Sequence, residues 1–200
     1  MENFLKLLSG YEQLSDSFIE ALKERIVRSS PRRGHLLLEA SQISKNVYYL
    51  KKGFAASFHH LRKNKHIEAL FKEGSLIISS KSFLQRLPSQ ESIEVLEAGE
   101  LFMISHDSVM WLSERFQEAK CLYLVPMINH IENTRARMHD LQLLDAQERY
   151  EKLKESHPSV FQLLPLAHLA PYLGMSVQTL SRQRREDDDY QPKRRKNRNK

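Results

Sequence analysis

The chain has 200 residues, 40% of them hydrophobic and 28% charged, with a formal net charge of +6 and an isoelectric point near 9.4. That content supports one large or two small domains, each with its own core. The single cysteine, Cys121, excludes an internal disulfide, a four-cysteine metal cluster and an iron–sulfur centre, and no apolar run approaches the roughly 18 residues of a membrane span.

The first residues carry no basic-then-apolar leader pattern, so the expectation is a soluble cytoplasmic protein with no membrane partner. Leu5, Leu8, Leu14, Phe18, Ala21, Leu22 and Ile26 recur at three- and four-residue spacing. This predicts helices, the second capped by Ser15 or Asp16.

From Pro31 to about Ser105 the texture changes. Short β-rich runs at 36–38, 47–50, 54–61, 67–71, 76–79, 92–96 and 101–104 are punctuated by Gly34, Gly53, Gly74, Pro88 and Gly99. Roughly six or seven short strands at about 8–12 residue spacing predict an antiparallel sandwich or roll. The nine histidines show no ligand spacing, and His59 and His60 would face opposite ways on a strand, so no metal site and no cofactor are expected. A lone histidine such as His66 is able to ligate haem iron, but a surface or core role is commoner.

Helical texture returns from Asp107. Cys121, Leu124, Ile128, Ile131, Arg135 and Met138 alternate by three and four. Such a stripe is either the seam of a helix pairing with another helix or the buried face of a domain helix, and pattern alone leaves both open. Pro126 predicts a kink or a helix start, because a proline inside a helix costs roughly 3 kcal/mol. Asp145 with Glu148 makes a capping-box start for a helix over 146–156, which His157-Pro158 ends.

The segment Leu166-Ala-His-Leu-Ala-Pro-Tyr-Leu-Gly-Met-Ser-Val-Gln-Thr-Leu-Ser-Arg-Gln-Arg-Arg185 has the spacing of a helix-turn-helix. Ala170 is small where two helices cross, Gly174 supplies the turn, Leu180 closes the core and Ser176 can cap the second helix. Pro171 falls in the last turn of the first helix. Gln178, Thr179, Ser181, Arg182, Arg184 and Arg185 would then face outward, residue types that reach base edges and phosphates in a major groove. No Asp or Glu lies between Glu155 and Glu186, and a face of one sign suits a polyanion. A packing-only helical hairpin is the bland alternative. The acidic run Glu186 to Asp189 and the basic stretch Lys193 to Lys200 read either as a solvated, disordered end or, for the basic part, as a source of nonspecific phosphate contacts, and leave no room for a β-wing after the motif.

The order helix, β-roll, long helix and helix-turn-helix resembles the catabolite activator (Crp/Fnr) superfamily of transcription regulators over nearly the whole chain. The residues carrying it are Val47-Tyr-Tyr-Leu-Lys-Lys-Gly53, Phe71-Lys-Glu-Gly74, Ser92 to Ala98 with Glu100 to Ser105, Leu141 to Tyr150, and Tyr172 to Arg182. The resemblance implies an α+β fold: a β-roll sensory domain with N-terminal helices over 1–110, a dimerisation helix over 111–140, a DNA-binding helix-turn-helix over 141–186 and a charged tail over 187–200. It also implies a homodimer whose recognition helices lie about one DNA turn apart. Partners would be double-stranded DNA, RNA polymerase, and either a small-molecule effector or none.

Family members that bind cyclic nucleotide hold the phosphate with a Gly-Glu pair and a following arginine. Here that stretch reads Glu73-Gly-Ser-Leu-Ile-Ile-Ser-Ser-Lys-Ser82, and Ser89 and Gln90 stand where the arginine and its neighbour would be. Gly74, Ser75, Leu76, Ser89 and Gln90 are therefore the candidate effector pocket, with no cyclic AMP response expected. Arg86 could substitute only by an unusual geometry, and Ser41 and Ser44 stand where the family often has glycine. The alternative function is a sensory or scaffold protein whose β-roll binds a ligand or partner and whose helix-turn-helix has degenerated. No nucleophile elbow, phosphate loop, dinucleotide loop or metal-ligand spacing is present, so no enzymatic activity is expected.

Overall fold

The computed structural model describes residues 1–61 and 64–190. They form two compact units, divided between Thr134 and Arg135. The basic stretch from Lys193 lies outside the described residues.

The first unit opens with α1 (Glu2–Ser9) and α2 (Asp16–Arg25), the latter capped by the Ser15 hydroxyl, which accepts from the Phe18 backbone N–H at 3.2 Å. Strands β1 (Val27–Ser29), β2 (Leu36–Leu38), β3 (Asn46–Leu61), β4 (Asn64–Phe71) and β5 (Leu76–Ile77) follow. Then come a short helix α3 (Ser80–Gln85) and strand β6 (Glu91–Ser105). All six strands pair antiparallel in the order β1-β6-β3-β4, with β2 also on β6 and β5 on β3. The fold class is α+β, as the sequence predicts.

The pattern Val47-Tyr-Tyr-Leu50 is explained by burial on both faces of the sheet. Val47 and Tyr49 join Phe4, Phe18, Leu22 and Phe102 in the core beneath the helices. Tyr48 and Leu50, on the opposite face, join Leu38, Ile77, Ile93 and Leu101 in the interior of the roll. A strand buried on both sides reads as a continuous apolar run rather than an alternation.

The separate runs predicted at 47–50 and 54–61 are halves of one strand, as are those at 92–96 and 101–104. Gly53 and Gly99 do not break the strands; the register of β3 against β6 shifts beside them. A Cβ on Gly99 would fall 1.8 Å from the Lys52 carbonyl oxygen, so only glycine lets the two strands cross this closely.

Helix α4 (His106–Arg115), a 3-10 turn (Gln117–Lys120) and the long helix α5 (Cys121–Leu143) come next. The long helix thus begins at Cys121 rather than near residue 111, and Pro126 lies inside it. Cys121, Leu122, Val125 and Pro126 are buried, whereas Leu124, Ile128, Ile131 and Met138 are 42–53% exposed. The three-four stripe is therefore buried at Cys121 but, from Leu124 on, only partly covered by the described residues.

In the second unit, α6 (Ala146–Ser156) has the predicted capping box: Asp145 Oδ1 accepts from the Glu148 N–H at 2.9 Å, and Glu148 Oε2 from the Asp145 N–H at 2.8 Å. Then follow α7 (Val160–Leu163), α8 (Leu166–Tyr172) and α9 (Val177–Tyr190). Helix α9 continues four residues beyond 186, so the first residues assigned to a disordered tail are helical. Acidic residues at a helix C-terminus oppose the macrodipole. Asp187 offsets this through bonds from the Tyr150 hydroxyl, at 2.5 Å, and the Lys154 ammonium.

Candidate nucleic-acid interface and β-roll cavity

The turn between α8 and α9 is closed by two bonds, Met175 N–H to the Ala170 carbonyl at 3.0 Å and Gly174 N–H to the Pro171 carbonyl at 3.1 Å. That is a Schellman motif, with Gly174 at φ +64 in the left-handed position it requires. Pro171 is tolerated in α8 while its carbonyl helps close the turn. Ala170 and Leu180 are fully buried, and the Ser176 hydroxyl accepts from the Thr179 N–H at 3.1 Å, capping α9.

A residue the sequence does not single out, Arg149 of α6, fixes this turn. Its guanidinium donates to the carbonyls of Leu173 at 2.7 Å, Gly174 at 3.2 Å and Leu144. The first two belong to the end of α8 and the turn that follows it, where helical partners run out.

On α9, Gln178, Arg182 and Arg185 are exposed at spacings of four and three, which places them along one face. Ser176 is also exposed, while Thr179, Ser181 and Arg184 are half-buried. Gln183 turns inward, is 9% exposed, and its Oε1 accepts no hydrogen bond. The face is not of a single sign. Because α9 runs on through the acidic segment, Glu186 Oε1 stands 4.0 Å from Arg182 Nε. Both side chains are largely exposed, so this ion pair is weak and open to exchange for a phosphate.

In the first unit, a cavity of about 530 Å³ opens among β3, β4, β6, α3 and the start of α5. Of the predicted pocket, Leu76, Ser89 and Gln90 line it. Gly74 and Ser75 do not: the Gly74 N–H donates to the Leu50 carbonyl at 2.8 Å, and the Ser75 carbonyl accepts from the Leu50 N–H at 2.9 Å. Ser89 is buried, and its hydroxyl donates to the Glu91 backbone carbonyl at 2.8 Å. Arg86 is not in the lining. It sits in the left-handed region at φ +56 and its guanidinium donates to the Ser44 carbonyl at 2.6 Å. Ser41 also adopts positive φ, +72, the backbone conformation that glycine adopts without cost.

The sequence reading missed the charged residues of this cavity. Glu68 occupies a bulge in β4, because Ala69 pairs with Ser57 while Ile67 pairs with Phe58. A bulge re-aims the extra side chain, and Glu68 turns into the cavity with Ser57, His59 and Glu91. His59 Nε2 lies 2.7 Å from Glu68 Oε2, and its Nδ1 lies 3.3 Å from the Gln90 carbonyl. Burial pushes the Glu91 carboxyl above the usual carboxylate range. Hydrogen bonds from Ser79 and Ser57 oppose that shift, and the neighbouring Glu68 adds to it. Among the described residues no cluster of three or more His, Cys, Asp or Glu could hold a metal ion, and no helix is long and apolar enough to cross a membrane.

No family description and no curated protein matches this sequence. Solved structures share its fold at low identity. The c-di-GMP-responsive global regulator CLP of Xanthomonas campestris is 14% identical at a TM-score of 0.66, over 88% of this chain and 92% of that one. FixK2 of Bradyrhizobium japonicum is 16% identical at 0.64, over 80% and 83%. The catabolite activator protein of Thermus thermophilus is 19% identical at 0.54, over 92% and 87%. The chain therefore has the Crp/Fnr-like, cyclic-nucleotide-binding type of fold.

Proposed function

We propose that this protein is a homodimeric, DNA-binding transcription regulator of the Crp/Fnr type that does not respond to cyclic AMP. The observation that carries the reading is the exposed line Gln178–Arg182–Arg185 on a capped helix, set by a Schellman turn. On this reading Gln178, Thr179, Ser181 and Arg182 would do base readout, and Arg184, Arg185 and the tail would contact phosphates. The stripe Leu124, Ile128, Ile131 and Met138 on α5 supports pairing with a second copy, because it alternates by three and four and stays about half exposed among the described residues. Cyclic AMP insensitivity rests on the cavity, where two carboxyl groups stand and Arg86 is directed elsewhere.

The test is duplex binding by the parent protein and Arg182→Ala, selected from genomic fragments and titrated across salt concentrations. The variant is expected to lose about 1–3 kcal/mol if Arg182 reads a base, with the salt slope preserved. Equal affinity for both proteins and no salt slope would defeat the proposal.

One observation favours a second reading, a sensory or scaffold protein with a degenerate helix-turn-helix. Glu186 pairs with Arg182 on the face that would meet the duplex. Under that reading no genomic fragment is retained and Glu186→Gln does not restore binding.

A further inference from the structure

We infer that the β-roll cavity is a binding site for a small organic cation, an ammonium, amidinium or guanidinium group on an apolar body, rather than for an anionic nucleotide. The inference rests on reading the β-roll as an effector domain and deepens it.

At about 530 Å³ the cavity lies within the range of small-molecule sites. Part of its wall is apolar, formed by Phe71, Leu76, Ile78, Leu87 and Pro126, and serines of α3 and its flanks complete it. Its polar end is rich in acceptors. β3 lies between β6 and β4, so Glu91 on β6 and Glu68 on β4 lean over β3 from either side, within hydrogen-bonding reach of each other. Ser57 and His59, two residues apart on β3, share the intervening face. Glu68 Oε2 is enclosed and, although 2.7 Å from His59 Nε2, accepts no hydrogen bond of good geometry.

The cationic groups facing the cavity are Lys81 of α3, which is exposed, and the imidazoles of His59 and His130. None brings a forked donor to the carboxyl pair. A phosphate placed here would meet two carboxyl groups in a poorly solvated space, which raises its energy. A cationic group instead gives each carboxylate a charge-assisted donor and relieves their mutual repulsion. The raised Glu91 carboxyl agrees with this, since burial and the neighbouring Glu68 both disfavour its charged form.

The experiment uses the full chain with benzamidine, agmatine and phenethylamine as cations, benzoate and cyclic AMP as anions, and benzamide as a neutral isostere. Binding is measured by calorimetry and by the rise in thermal midpoint, because a ligand that binds only the folded state stabilises it by mass action. At least one cation is expected to bind saturably, while benzoate, benzamide and cyclic AMP do not. Glu68→Gln with Glu91→Gln should weaken the cation about ten- to a hundredfold, the range for a lost charged hydrogen bond. Should that pair not fold, Leu87→Lys places a cation in the partly exposed wall and is expected to weaken the same ligand. Unchanged affinity in the variant that folds overturns the inference. If benzoate or cyclic AMP binds and no cation does, the charge assignment falls and the effector reading stands. If no probe of either sign binds, both fall.

Discussion

Replacing Gly174 with alanine tests the turn on which the DNA-binding proposal depends, and its cost can be assembled from two parts. Gly174 has φ +64, and an alanine in the left-handed region costs about 1–2 kcal/mol. The new Cβ would also stand 2.5 Å from Leu141 Cδ2, well inside the ordinary carbon–carbon contact of about 3.5–4.0 Å. Leu141 is 40% exposed, so its side chain can swing outward and forfeit up to roughly 1 kcal/mol of burial. The sum is about 2 kcal/mol. At about 4–8 °C per kcal/mol for a domain of this size, the midpoint of the second unit should fall about 8–16 °C. Circular dichroism melts, with hydrogen exchange on the amides of α9 to identify the unit, give the value. Gly174→Ala in a Leu141→Ala background separates the parts, because removing Leu141 leaves only the backbone cost. Gly34→Ala, at φ +85 with nothing within 4 Å of its added Cβ, reports a backbone cost alone in the other unit. A parent-like midpoint for Gly174→Ala, or no coupling to Leu141, would refute this account of the turn.

Three further outcomes are expected. Ile131→Glu, at a position 53% exposed, should convert a dimer into a monomer by light scattering while leaving the monomer folded; a persisting dimer places the interface elsewhere. Asp187 loses some solvation on folding, yet the bonds from Lys154 and Tyr150 win and hold its carboxyl below the usual range. A depressed acid contributes stability above its ordinary pKa and loses it as pH falls through the folded value, so Asp187→Asn should flatten the acid side of the melting profile. Its cost at neutral pH should stay under about 1 kcal/mol, because the pair is about a third exposed. Glu91 has the opposite sign. Its raised carboxyl gives full stability below the ordinary value and loses it as pH rises through the folded one, so Glu91→Gln should melt higher than the parent at pH 8 and show less gain on acidification to pH 5.

Local chemistry made much of the fold legible. The capping box at Asp145 and Glu148 and the caps at Ser15 and Ser176 involve partners two or three residues away, so the sequence alone carries them. The runs at 47–50 and 54–61 look like separate strands in the sequence because glycine usually interrupts a strand. Gly53 instead sits where the register of one long strand shifts, and that is settled by its neighbour Gly99, far away in sequence. The α5 stripe was ambiguous for a similar reason. A seam and a core face have the same period, and the exposure of Leu124, Ile128 and Ile131 shows only that the core of the described residues does not fully bury the stripe.

The sites divide along the same line. Gln178, Arg182 and Arg185 lie within one helix, so spacing alone places them on one face. Glu186 lies on that helix too, and the error there was one of boundary. An acidic run at a helix end reads as a stop until Asp187 is seen to have partners on α6. The cavity was the least legible part, because its chemistry is made by pairing between strands. Glu91 reaches the cavity from β6, and Glu68 from a bulged position of β4, two residues after His66, which pairs with His59. The sequence shows that the arginine expected from the family resemblance is absent, but which side chains meet in the cavity depends on how β3, β4 and β6 pair, and that long-range pairing has no local signature.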